Sequence, residues 1–183
     1  MEDTEHTLMT VGHGTASQEA FADLLQEAGV RALVDVRIGP GSRKFPHFGK
    51  DSLDQWLPAA GIAYRWEKDL GGFRKLLPDS PDVVLRNESF RAYAGYMRSG
   101  EFTTALAELL VQARETRTVI MCSETVWWRC HRRLIADNAA LLHGVAVEHL
   151  MPGGKLSLHP PTQGVRVAGE ELVYDVQPQP SAG

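Results

Sequence analysis

The strongest constraint on the fold is an alternation of short apolar runs with segments long enough to cross a sheet. "TLMTV" (Thr7 to Val11), "ALVDV" (Ala32 to Val36), "IAYRW" (Ile62 to Trp66), "TVIMC" (Thr118 to Cys122) and "VAVEHL" (Val145 to Leu150) each read as a buried strand. Between the first two lies "SQEAFADLLQEAG", in which Phe21, Leu24, Leu25 and Ala28 recur at i, i+3, i+4 and i+7 and mark one helix face. Strand, helix and strand in this order specify a parallel crossover. Thr15 followed by Gln18 suits a capping box, and Gly29 suits the helix stop. "DSLDQWLPAAG" predicts a short helix with Leu53, Trp56 and Leu57 inward. "SFRAYAGYM" and "FTTALAELLVQAR" predict two helices parted near Gly100, and a further helix is expected from about Val126 to Leu142. "MPGGKLSLHPPTQG" reads as irregular and "VRVAGEELVYDV" as a hairpin about Gly169. The expected architecture is a three-layer α/β/α single domain over residues 1–177, with a mostly parallel sheet, a small C-terminal hairpin and a flexible tail at 178–183.

Composition narrows the function classes. A net charge of −4 makes the surface as a whole no magnet for polyanions, so nucleic-acid binding would need a local basic patch. No apolar run approaches the roughly 20 residues of a membrane span. The acidic start "MEDTEHTLMT" lacks a secretory apolar region, and a cytoplasmic location is the expectation. In that compartment the two cysteines are expected as free thiols.

In an open parallel sheet, ligands bind beyond the carboxyl ends of the strands. There the sequence gathers Gly12, His13, Gly14 and Thr15 after the first run, and Arg37, Pro40 and Ser42 after the second. Asp69, Gly71 and Gly72 follow the third, and Cys122, Ser123 and Glu124 the fourth. Cys130, His131, Arg132 and Arg133 lie a few residues further on. A thiol before a helix N-terminus and beside an arginine favours thiolate. On one helix, Cys130 and His131 would point about 100° apart and would not share a ligand. Packing also explains such residues: free cysteine is among the most buried residue types, and Asp35 in an apolar strand needs a partner such as Arg37. Known signatures are near misses. A phosphatase loop places five residues between cysteine and arginine, whereas six separate Cys122 from Arg129. The cysteine spacing suits no structural zinc site, and neither a dinucleotide glycine motif nor a P-loop is present.

"TVGHGT", "LVDVRIGPGSRKFPHF", "LGG" and "CSETVWWRCHRRLIA" together resemble the domain-of-unknown-function 488 (DUF488) family. Its pattern falls on Gly12 and His13, on Asp35 and Arg37 with Pro40 and Ser42, on Leu70, Gly71 and Gly72, and on Cys122, Glu124, Cys130, His131 and Arg132. The chain departs from it where Gly14 replaces a serine and where "TVWW" replaces a proline-containing segment. The resemblance implies an α/β fold and no particular reaction.

Three functions are in contention. The first is an enzyme with a thiol-containing, anion-binding pocket, acting on a phosphate- or carboxylate-bearing substrate such as a nucleotide. Cys122 would be the nucleophile or redox thiol and His13 or Glu124 the acid/base, while Arg37, Arg132, Ser42, Gly12 and Gly72 would form the substrate-binding wall. The second is a transition-metal protein with ligands drawn from His13, Cys122, Glu124, Cys130 and His131. The third is a non-catalytic nucleotide or nucleic-acid binding module using Arg37, Arg43, Lys44, Arg74 and Lys75. No membrane partner is expected.

Overall fold

A computed structural model describes residues 7–178. All five apolar runs become strands: β1 (Thr7–Gly12), β2 (Ala32–Asp35), β3 (Ala63–Trp66), β4 (Thr118–Cys122) and β5 (Ala146–Leu150). Their pairings are parallel, in the order β3-β2-β4-β1-β5. A short strand β6 (Leu156–Leu158) then adds antiparallel to β5. That strand lies inside the stretch expected to be irregular. Three residues are too few to show a period, and only pairing with β5 extends them. β7 (Val165–Ala168) and β8 (Glu171–Tyr174) form the expected hairpin. Of the expected tail, only Pro178 lies among the described residues.

Helices cover both faces, giving the α/β fold with a mostly parallel sheet. Along β4 the side chains alternate. Val119 and Met121 pack with Phe21 and Leu25 of α1 (Gln18–Glu27) and with Leu53 and Leu57 of α2 (Lys50–Ala59). Ile120 and Cys122 pack on the other face, against Tyr93 of α3 (Glu88–Tyr96), Leu106 and Leu109 of α4 (Gly100–Glu115) and Leu134 and Ile135 of α5 (Arg132–His143). This period-two partition is what a sheet buried on both faces requires. β1 and β4 are neighbours, but the chain leaves β1 for a helix on one face and β4 for a helix on the other. Their carboxyl ends therefore open a crevice at a topological switch point.

Two expected local features are corrected. The cap of α1 is Ser17, whose Oγ accepts the Ala20 amide at 3.1 Å, in place of Thr15. Gly29 ends that helix as expected, with φ +74°. The helix expected from about Val126 is broken in two. Trp127–Arg129 form a single 3₁₀ turn, Cys130 is extended (φ −124°, ψ 151°), and α5 starts only at Arg132. Cys130 and His131 are therefore not successive residues of one helix, and the 100° separation does not apply.

Ser17→Ala should lower the unfolding free energy by about 1 kcal/mol, the usual value of a lost N-cap. Thr15→Ala should change it by less than about 0.5 kcal/mol, as for an uninvolved surface site. Urea denaturation of the two variants reads the difference.

Candidate functional site

The crevice at the carboxyl ends of β1, β2 and β4 is a cleft of about 660 Å³. His13, Arg37, Ser42, Gly72, Cys122 and Glu124 line it, and so do Cys130 and His131. Gly12 and Arg132 stand behind this wall. Gly12 pairs in register with Cys122, and a Cβ there would collide with the Glu124 carbonyl and the Arg132 guanidinium. Glycine is needed at this point because the arginine crosses directly behind the strand end.

Arg132 is 1 % exposed. Its Nε donates to Cys122 Sγ at 3.0 Å and its Nη1 to Thr10 Oγ1 at 2.9 Å. Its Nη2 donates to the carbonyls of Glu124 and Thr125 at 2.6 and 3.2 Å. Among the described residues no carboxylate forms an ion pair with it. A guanidinium this deep is costly to leave without an anion. The groups beside it that can supply one are the thiols.

Cys122 and Cys130 are both free and buried, with their sulfurs in direct contact. Burial raises both thiols, with opposite net outcomes. For Cys130 the rise is outweighed by the hydrogen bond from Cys122, the Arg132 charge and the Arg132 main-chain N–H, which bring it down to about 7. For Cys122, burial and the proton shared with Cys130 push it well up. Arg132 serves both sulfurs, one through its side chain and the other through its amide. The pair gives up its first proton readily and holds its second.

Hydrogen-bond bookkeeping assigns the tautomers of two histidines on the cleft. His131 Nε2 lies 2.8 Å from the Val36 carbonyl, which can only accept, so Nε2 carries the proton. The bare Nδ1 then faces Cys130 Sγ at 3.5 Å. Gly72 makes room for this ring, since a Cβ there would sit 3.2 Å from His131 Nδ1. His13 Nδ1 donates to the Gly14 carbonyl at 2.9 Å, and its Nε2 is buried without a partner among the described residues. Burial lowers His13 to about 4, and the ring stacks on Phe48 at 4.2 Å. At neutral pH His13 therefore presents a bare lone pair.

The remaining expected residues are placed as follows. Arg37 is bound bidentately to Asp35, with Nε–Oδ1 at 2.8 Å and Nη2–Oδ2 at 2.6 Å. It also donates to the Phe48 carbonyl, and Tyr64 donates to Asp35. Most of its charge is thus neutralised within the wall. Ser42 Oγ accepts the Phe45 amide and shapes the loop. The Glu124 side chain is exposed, and it is the Glu124 carbonyl that meets Cys122 Sγ, at 3.6 Å. Of the expected basic face, Arg74 donates to the Gly71 and Lys68 carbonyls and lies over the Tyr96 ring. Among the described residues no group of three or more His, Cys, Asp or Glu has a geometry that would hold a metal ion. No helix among them is long and apolar enough to cross a membrane.

Sequence reasoning missed a chain of buried polar groups behind the thiols. Thr10 Oγ1 meets His149 Nδ1 at 2.6 Å, His149 Nε2 meets His159 Nδ1 at 2.8 Å, and His159 Nε2 meets Asp137 Oδ1 at 2.7 Å. Thr10 and His149 are register partners on β1 and β5. The available signal was the presence of Thr10, Asp137 and His149 at apolar positions of buried elements.

Two neutral buried histidines make the fold acid-sensitive. His13 is lowered by burial to about 4 and His149, by burial and by neighbouring His159 and Arg132, to about 3. Below pH 6.5 the unfolded chain takes up these protons and the native state does not, so stability is full above 6.5 and is lost as pH falls. By pH 4 the loss is about 3 kcal/mol for each histidine. His13→Asn keeps a donor for Gly14 and cannot titrate, so it should remove close to half of the slope from these two groups in urea unfolding between pH 6.5 and 4.

The family comparison agrees with the motifs. The model of a domain of unknown function, DUF488, matches residues 17–139. That span takes in Asp35, Arg37, Gly72, Cys122, Cys130, His131 and Arg132, and leaves out Gly12 and His13. No curated protein and no solved structure matches the chain. With a match over most of its length, from α1 into α5, the chain belongs to the DUF488 family.

Proposed function

We propose that the protein is a thiol enzyme that attacks an electrophilic centre of an anionic substrate held in the cleft. The observation that carries this reading is the buried Arg132 guanidinium, which has two thiols beside it and, among the described residues, no carboxylate for a counter-ion. A charge so placed favours thiolate, and thiolate is the nucleophile. Cys130 is the better attacking sulfur of the pair. It has the lower proton affinity, receives the Arg132 amide and has the bare His131 Nδ1 beside it. Cys122, expected as the nucleophile, becomes the group that retains the shared proton.

The wall supports a substrate class. His13 Nε2 is an acceptor and so calls for an N–H or O–H on the substrate. Phe45, Phe73, Phe90 and Tyr93 line the cleft with rings, suited to a planar group. Arg129 lines it as an exposed cation, and the Arg37 Nη1 has no partner among the described residues, so both are free for a phosphate or carboxylate. A nucleotide combines the three features.

The test is the pH dependence of iodoacetamide alkylation, read by intact-protein mass spectrometry. The wild-type protein should react with a midpoint near pH 7, and Cys130→Ser should slow the reaction at pH 7 by roughly a hundredfold. Nucleoside monophosphates should protect the thiol more than sugar-free dicarboxylates do. A midpoint at or above the ordinary thiol value of about 8.5 would sink the thiolate reading.

A further inference from the structure

We infer that the buried chain Thr10–His149–His159–Asp137 is a positioning device for the thiol pair, holding the Arg132 guanidinium on Cys122 through four residues of β1, β5, the segment after β6 and α5, none of which lines the cleft. This inference rests on the thiol reading of the site. Thr10, Asp137, His149 and His159 are all buried and none lines the cleft.

We assign the protons of the chain from its Asp137 end, with one proton on each imidazole. Asp137 accepts from the Thr162 amide at 3.0 Å and from the Tyr174 hydroxyl at 2.9 Å, so it acts as a carboxylate and takes the His159 Nε2 proton as well. In this assignment His159 Nδ1 is bare and accepts from His149 Nε2. His149 in turn has a bare Nδ1, which accepts the Thr10 hydroxyl. At the other end, Thr10 Oγ1 accepts Arg132 Nη1 and has its own proton free for His149. All donors therefore point from the guanidinium toward Asp137. Such aligned chains polarise each link. Each donation makes Thr10 Oγ1 a better acceptor, which fixes the plane of the guanidinium and aims Nε at Cys122.

The surroundings are built to keep this order. Trp127 stacks on the His149 ring at 4.3 Å and 2°. Arg133 donates to Thr162 Oγ1 at 3.0 Å beside the Asp137 end. Asp82, paired with Arg98, accepts the Tyr174 amide at 3.1 Å and so seats the tyrosine that donates to Asp137. The charged and titratable groups facing the chain are thus Arg132, Arg133, Asp82 with Arg98, and Tyr174. On the thiol side they are His131 and Arg132.

Thr10→Val is nearly isosteric and removes only the hydroxyl, and Thr10→Ser restores it. In the full-length protein, the alkylation midpoint should rise by about one pH unit in Thr10→Val, a roughly tenfold slower reaction at pH 6, and return in Thr10→Ser. Asp137→Asn is read in both the wild-type and the Thr10→Val background. The through-space effect of the lost charge is the same in both, so any difference isolates the part carried by the chain. That difference should be about half a pH unit or more, close to threefold in rate. In the unmutated protein, nitrogen-15 shifts should show His149 and His159 as Nε2–H tautomers. A wild-type midpoint near 7 with equal midpoints in Thr10→Val and Thr10→Ser, or an Nδ1–H tautomer at His149, overturns the inference and leaves the thiol reading standing. An ordinary wild-type midpoint overturns both.

Discussion

A guanidinium in the interior must be surrounded by acceptors, and the surroundings of Arg132 determine much of the architecture at this edge of the sheet. Its four partners come from β1, from the end of β4 and from the turn that follows. The turn must present two carbonyls inward, which draws Glu124 and Thr125 over the end of β1 and leaves room only for glycine at position 12. The strand facing α5 must offer a hydroxyl in place of a methyl, which accounts for Thr10 among Leu8, Met9 and Val11. On the proposed thiol reading, the uncompensated charge makes one thiolate the cheapest local anion, so that a packing requirement and a reactive group would be the same feature.

The cleft is polar with few free charges. Arg37 is held by Asp35, and His13 and His131 are neutral with their protons tied to backbone carbonyls. Each ring consequently keeps an acceptor nitrogen free of the backbone, His13 Nε2 and His131 Nδ1. Carbonyls at Gly14 and Val36 play the orienting part that a carboxylate plays in other histidine sites. The orientation is set by the same segments that follow β1 and β2.

What was legible in the sequence is what has a short repeat. β1 to β5 were visible as apolar runs because both sheet faces are covered, and α1 was visible through Phe21, Leu24, Leu25 and Ala28. The Asp35–Arg37 pairing was readable as well, because residues two apart on an extended segment share a face. The relation of Cys130 to Cys122 was not readable. It depends on Cys130 adopting an extended conformation between a 3₁₀ turn and α5, and helical periodicity over Val126 to Leu142 masks that break. The cap at Ser17 displaced Thr15 by two residues, within the ordinary uncertainty of helix ends. The chain behind the thiols was beyond reach because its members, Thr10, Asp137, His149 and His159, are brought together only by the β1–β5 pairing and the packing of α5.

The position of β1 in the sheet has a consequence for the protein as it is made. β1 leaves the ribosome before either of its sheet neighbours, β4 and β5, which are encoded more than a hundred residues later. Until β5 and the segment through His159 have emerged, Thr10 lacks both its β5 register partner and the histidine pair behind it. The acceptor set that the proposed thiolate reading depends on is therefore complete only once β5 and His159 have joined the fold.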